Sequence, residues 1–115
     1  MITRDRRAFK RVRRKFTVRY KRHGSDDPHG GAAVSENISL GGVYFTSFEK
    51  FEIGQLIDCS ITMPKVKDEG KWIARVVRCE DADDRAVKTY GVAVEFVKAF
   101  GSSEKDLKKI LSNSR

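Results

Sequence analysis

Apolar and polar side chains alternate with a period of two along most of the chain, the pattern of half-buried β-strands. In 16–21, Phe16, Val18 and Tyr20 share one side, opposite Thr17, Arg19 and Lys21. Residues 32–39 read as a second strand that carries Val34 and Ile38 inward and Asn37 and Ser39 outward. Residues 43–48 form a third, with Val43 and Phe45 opposed to Tyr44, Thr46 and Phe48. Because both of its faces are partly apolar, one is expected to meet the core and the other to lie under a helix or arm. Residues 56–63 set Ile57, Cys59, Ile61 and Met63 against Asp58, Ser60 and Thr62. Two further strands follow at 72–80 and 89–97, the last aligning Tyr90, Val92, Val94 and Phe96 with small Gly91 and Ala93 behind them.

Turn chemistry separates these runs. Gly41 and Gly42 predict a turn with positive φ and bare backbone open to a ligand. Gly54 turns the connector 51–55, and polar, Gly- and Asp-containing loops fill 23–31, 64–70 and 81–84. Ser103-Glu104-Lys105-Asp106 resembles a capping box, and Leu107, Ile110 and Leu111 give the following residues a helical stripe. So short a helix needs the strands to dock on. The predicted fold is all-β with a terminal helix: a six-stranded antiparallel β-barrel, closed to remove exposed edges, plus a short C-terminal α-helix.

At 115 residues the chain is one domain able to bury a single modest core. Its first residues are charged and lead into no apolar h-region, and no apolar run approaches the ~18 residues of a membrane span. A cytoplasmic protein without membrane insertion is expected. Cys59 and Cys79 lie in strand patterns without CxxC spacing and read as reduced, partly buried small hydrophobes. Net charge is +8, but its distribution is uneven: residues 1–22 hold 11 Lys or Arg against one Asp, whereas the other 93 hold 13 against 15 Asp or Glu. The basic excess therefore sits in an N-terminal arm, which points to one local anion site rather than a basic face. Residues 1–15 are expected to form a flexible basic arm, with Phe9 and Val12 as its apolar pins, and 16–115 the folded barrel with its helix.

No nucleophile elbow, carboxylate pair near a histidine or phosphate-binding glycine loop is present, so no enzyme is predicted. His23, Asp26, Asp27 and His29 match no metal spacing, and the acidic run 81–84 lacks the ligand ladder of a calcium loop, so no metal is expected. What remains is Arg7-Ala8-Phe9-Lys10-Arg11, an RxxxR, followed about 25 residues later by Asn37-Ile38-Ser39-Leu40-Gly41-Gly42, an NxSxxG. In this order, ahead of the strand pattern described, the chain resembles the PilZ domain family, the bacterial receptors for cyclic di-GMP, over nearly its whole length. Tyr90 to Phe96 looks like that family's closing strand.

The resemblance implies that cyclic di-GMP is the ligand, a second messenger held by Arg7, Arg11, Asn37, Ser39 and Gly42. Arg6, just before the motif, looks associated with binding two stacked ligand molecules. The chemistry suits those residue types, since an arginine fork pairs with phosphate oxygens or with guanine O6 and N7, and can stack on a base. Asn37 offers guanine N1–H and N2–H only a neutral carbonyl oxygen, a weaker acceptor than an Asp in its place. Ligand binding would fold the arm over the barrel and signal in trans to an effector protein of motility, exopolysaccharide or virulence control. The alternative is a small basic-armed barrel that binds RNA or DNA; it is disfavoured by the slightly acidic barrel and the lack of an aromatic stacking row.

Overall fold

The computed structural model describes residues 15–26, 30–35, 37–82 and 87–112. Seven strands and one helix follow in order: β1 (Phe16–Arg22), β2 (Gly31–Ser35), β3 (Asn37–Ile38), β4 (Gly42–Ser47), β5 (Leu56–Thr62), β6 (Gly70–Asp81), β7 (Tyr90–Phe100) and α1 (Ser103–Ser112). They form one antiparallel sheet in the order β2-β1-β5-β6-β7-β4-β3. The sheet curls until β2 lies beside β4, giving a nearly closed barrel. The predicted class holds.

The strand count differs because the expected strand 32–39 is divided between two partners. Gly31–Ser35 pairs with β1, whereas Asn37–Ile38 pairs with β4. A buried side chain makes the crossing: the Ser35 hydroxyl donates to the Tyr44 carbonyl at 2.6 Å and accepts from the Asn37 N–H at 3.0 Å. This hydroxyl stands where a continuous ladder would place backbone groups, so the barrel's seam is stitched by one serine. The inward parity also changes here. Ala33 and Ser35 face in on β2 and Ile38 on β3, so Val34, expected inside, lies outside and is 60% exposed.

Elsewhere alternation maps directly onto burial. Val18, Ile57, Ile61, Val76 and Val92 are fully buried, with Phe45 stacked on Tyr20 at 4.7 Å and Phe51 meeting Tyr20 edge-on at 6.0 Å. The β6–β7 hairpin holds two bulges that leave Val97 and Val77 as extra residues, each about half exposed. A bulge shifts parity, and past Val77 the inward position moves to Cys79.

Helix α1 docks on β6 and β7 through fully buried Leu107, with Ile110 and Leu111 packed beside it. Among the described elements it is not the cover of β4's outer face, which stays open at Tyr44, Thr46 and Phe48. The helix begins at Ser103, so its cap falls one residue before the predicted one, at Ser102. The Ser102 carbonyl accepts the Asp106 N–H at 2.8 Å and its hydroxyl bonds the Asp106 carboxylate at 2.8 Å. Ser103 instead turns inward, 5% exposed, and accepts the Lys71 N–H at 2.7 Å, which ties the helix to β6.

Candidate functional site

Asn37 to Gly42 form the tight β3–β4 hairpin. Ser39 N–H donates to the Gly42 carbonyl at 2.9 Å, and the Ser39 hydroxyl accepts the Gly41 N–H at 3.1 Å, a local bond that suits serine to turns. Among the described residues the hydroxyl's own hydrogen has only the Gly42 carbonyl at 3.5 Å, leaving it able to donate outward. The turn is bolted to the barrel where the Phe96 N–H donates to the Gly41 carbonyl at 2.8 Å.

The two glycines act differently from expectation. Neither adopts positive φ; among the described residues the left-handed glycines are Gly24, Gly54 and Gly101. Gly42 is required by packing, because a Cβ there would collide with the Val94 carbonyl oxygen of β7. Gly41 meets nothing closer than the Ser39 hydroxyl at 3.9 Å, so it is Gly41 that leaves bare backbone facing solvent.

Register fixes the rest of the surface. Asn37 pairs with Tyr44, Tyr44 with Ala93, and Ala93 with Arg78, so one row crosses the outer face of four strands. The Asn37 side-chain amide is exposed and has no hydrogen-bond partner among the described residues. Tyr44, 37% exposed, extends toward Gly91; a Cβ on that glycine would collide with the tyrosine hydroxyl. Together with Ser39, Gly41, Gly42, Val43 and Val94, these residues line an open concavity of about 290 Å³.

Sequence reasoning brought Asn37, Ser39 and Gly42 to this site, and the structure places them together. Arg6, Arg7 and Arg11 lie outside the described residues, as do residues 1–14 of the expected arm. Tyr44 and Arg78 were missed. Arg78 had a readable signal: along β6 it falls on the parity of buried Trp72, Ala74 and Val76, and a charged residue at an inward position calls for a bulge. Tyr44 was seen only as the second face of a strand.

The arginines of the described strands are not equivalent, and of Arg19, Arg22, Arg75 and Arg78 only Arg78 lines the concavity. Arg22 is engaged by Glu49 at 2.6 Å and Gln55 at 3.1 Å and sits over the Phe51 ring at 5.2 Å. Arg19 pairs with Glu69 at 3.5 Å, and Arg75 with Glu95 at 2.8 Å. Among the described residues Arg78 has only Glu80 at 3.9 Å, and its side chain is 59% exposed.

Other candidate chemistry is accounted for by structure. Burial, reinforced by the Asp58 charge, pushes the Cys59 thiol up from 9.0 to about 12, so it stays protonated and inert. Both cysteines are free. His23 Nδ1 lies 2.7 Å from Asp58, and among the described residues no group of three or more His, Cys, Asp or Glu is placed to hold a metal. No helix among the described residues is long and apolar enough to cross a membrane.

The small barrel thus presents a polar hairpin, an exposed tyrosine and a loosely paired arginine around a shallow concavity. The PilZ domain model matches residues 5–113, nearly the whole chain, and the chain belongs to the PilZ domain family, whose members are cyclic di-GMP receptors and adaptors rather than enzymes. No curated protein and no solved structure matches it.

Proposed function

We propose that this protein is a cyclic di-GMP receptor whose Asn37–Ser39 edge reads a guanine, while Arg7 and Arg11, with Arg6 beside them, close over the ligand from the N-terminal arm. The observation that carries it is the Asn37 amide, without a partner among the described residues, on a tight hairpin beside an under-used hydroxyl and the open Gly41 backbone. Asn37 Oδ1 accepts from guanine N1–H or N2–H, and the Ser39 hydroxyl donates to an acceptor on the same ligand. The ligand's two phosphates are matched by the basic arm, where residues 1–15 hold 8 Lys or Arg against one Asp.

Closing of the arm over the barrel presents a new surface to an effector protein, through which the signal passes in trans to motility, exopolysaccharide or virulence control. Arg6 offsets the added charge of a second stacked ligand molecule.

Calorimetric titration of the full chain with cyclic di-GMP tests this. Arg7→Ala and Arg11→Ala each lose about 1–3 kcal/mol of binding free energy, the worth of one bidentate arginine on a base. Unchanged binding in both variants would overturn the assignment. Equal losses from Arg13→Ala and Arg14→Ala, with affinity falling steeply in salt, would favour RNA or DNA instead.

A further inference from the structure

The row that begins at Asn37 ends three strands away at Arg78. At about 4.8 Å per strand spacing, roughly 14 Å separates their backbones, yet both line the same concavity. A single purine on the Asn37 edge covers the near end of that row, and reaching the far end takes a second nucleotide.

Two observations make Arg78 available to it. The bulge at Val77 turns Arg78 onto the outer face, where strict alternation along β6 would have buried it. Its one ion pair among the described residues is the loose 3.9 Å contact with Glu80, so a bound anion displaces little. Arg75, on the neighbouring row, shows the opposite case, with Glu95 at 2.8 Å already occupying its fork. Between the ends lies Tyr44, whose extension toward Gly91 leaves an aromatic surface part-exposed over the middle strands.

We infer that Arg78 is a specificity-determining residue. It grips the far nucleotide of the ligand, by phosphate or guanine edge, across the Tyr44 surface, and so separates a cyclic dinucleotide from a mononucleotide bearing the same base. This rests on the reading of residues 37–42 as the guanine edge. Its consequence is that part of the ligand-binding charge is built into the barrel, independent of the arm.

The test uses the full chain and follows the Asn37 and Ser39 amides by NMR during titration with cyclic di-GMP and, separately, with 3′,5′-cyclic GMP. Arg78→Ala raises the Kd for cyclic di-GMP about tenfold or more, the scale of one bidentate arginine, and leaves that for cyclic GMP unchanged. Arg78→Lys recovers only part of the loss, because an ammonium lacks the planar fork. Arg75→Ala, which removes the same charge from the adjacent row, behaves as wild type. Cyclic di-GMP binding that survives Arg78→Ala, equal losses for both ligands, or an equal loss from Arg75→Ala would each overturn the inference while leaving the guanine edge standing. Failure of the wild-type Asn37 and Ser39 amides to move with either ligand would overturn the edge itself, and this inference with it.

Discussion

On β4, Val43, Phe45 and Ser47 point inward and none is more than 4% exposed, while Gly42, Tyr44 and Thr46 between them point outward. The same division runs through β7 and β6, where Val92, Val94 and Val76 are inside and Ala93, Glu95, Arg75 and Arg78 are outside. Neighbouring residues of one strand thus serve opposite ends: the inner set is fixed by volume, and the outer set is free to be chosen by what it binds. Gly42 shows where the division is imperfect, since a residue of the outer face is constrained by the backbone of β7.

Substitutions on the two faces should separate stability from binding. The largest effect belongs to Phe45→Ala, which empties a site stacked on Tyr20 at 4.7 Å. It costs about 3–5 kcal/mol in urea unfolding. Gly42→Ala comes next, destabilising by about 1–3 kcal/mol because its Cβ overpacks against Val94, whereas Gly41→Ala stays within about 0.5 kcal/mol of wild type. Should Gly41→Ala prove the worse of the two for folding, the roles assigned to this pair would be reversed.

Asn37→Asp is smaller and purely functional. It leaves unfolding unchanged within about 0.5 kcal/mol and tightens cyclic di-GMP binding by about 1 kcal/mol, since an ionised acceptor bonds guanine N–H groups more strongly. Calorimetry beside urea unfolding of the same samples checks both halves. At neutral pH Cys59 gives the least effect. A thiol reagent labels one cysteine, Cys79, in the native protein and both in denaturant, because burial keeps Cys59 protonated. With its pKa raised from 9.0 to about 12, the Cys59 contribution to stability is intact below pH 9 and is lost as pH climbs toward 12.

Strict period-two segments made most of the inner face legible. The β5 run alternates from Ile57 to Met63, and each expected inward residue is buried. What failed to show was any place where a strand changes partner or parity. Ser35 looks in sequence like one more polar strand residue, yet its hydroxyl replaces a stretch of ladder and moves Val34 outside. At Arg78 the only hint was a charge on the inward parity of β6; the bulge at Val77 that resolves it follows from how β6 and β7 pair. The NxSxxG half of the site was readable because its small residues are needed locally, for the Ser39 turn bond and for the Gly42 passage against Val94. Its RxxxR half, including Arg7 and Arg11, falls outside the described residues, so those positions stand on the motif and on family membership.

The most direct test of the outer-face site is an amide-resolved titration of the full chain with saturating cyclic di-GMP, set beside cyclic di-AMP and GTP. Cyclic di-GMP should shift Asn37, Ser39, Gly41, Tyr44, Arg78 and residues 6–11 while Ile57, Cys59 and Ile61, on the inner face, hold still. Residues 37–42 left unmoved at saturation, or moved equally by all three nucleotides, would contradict it.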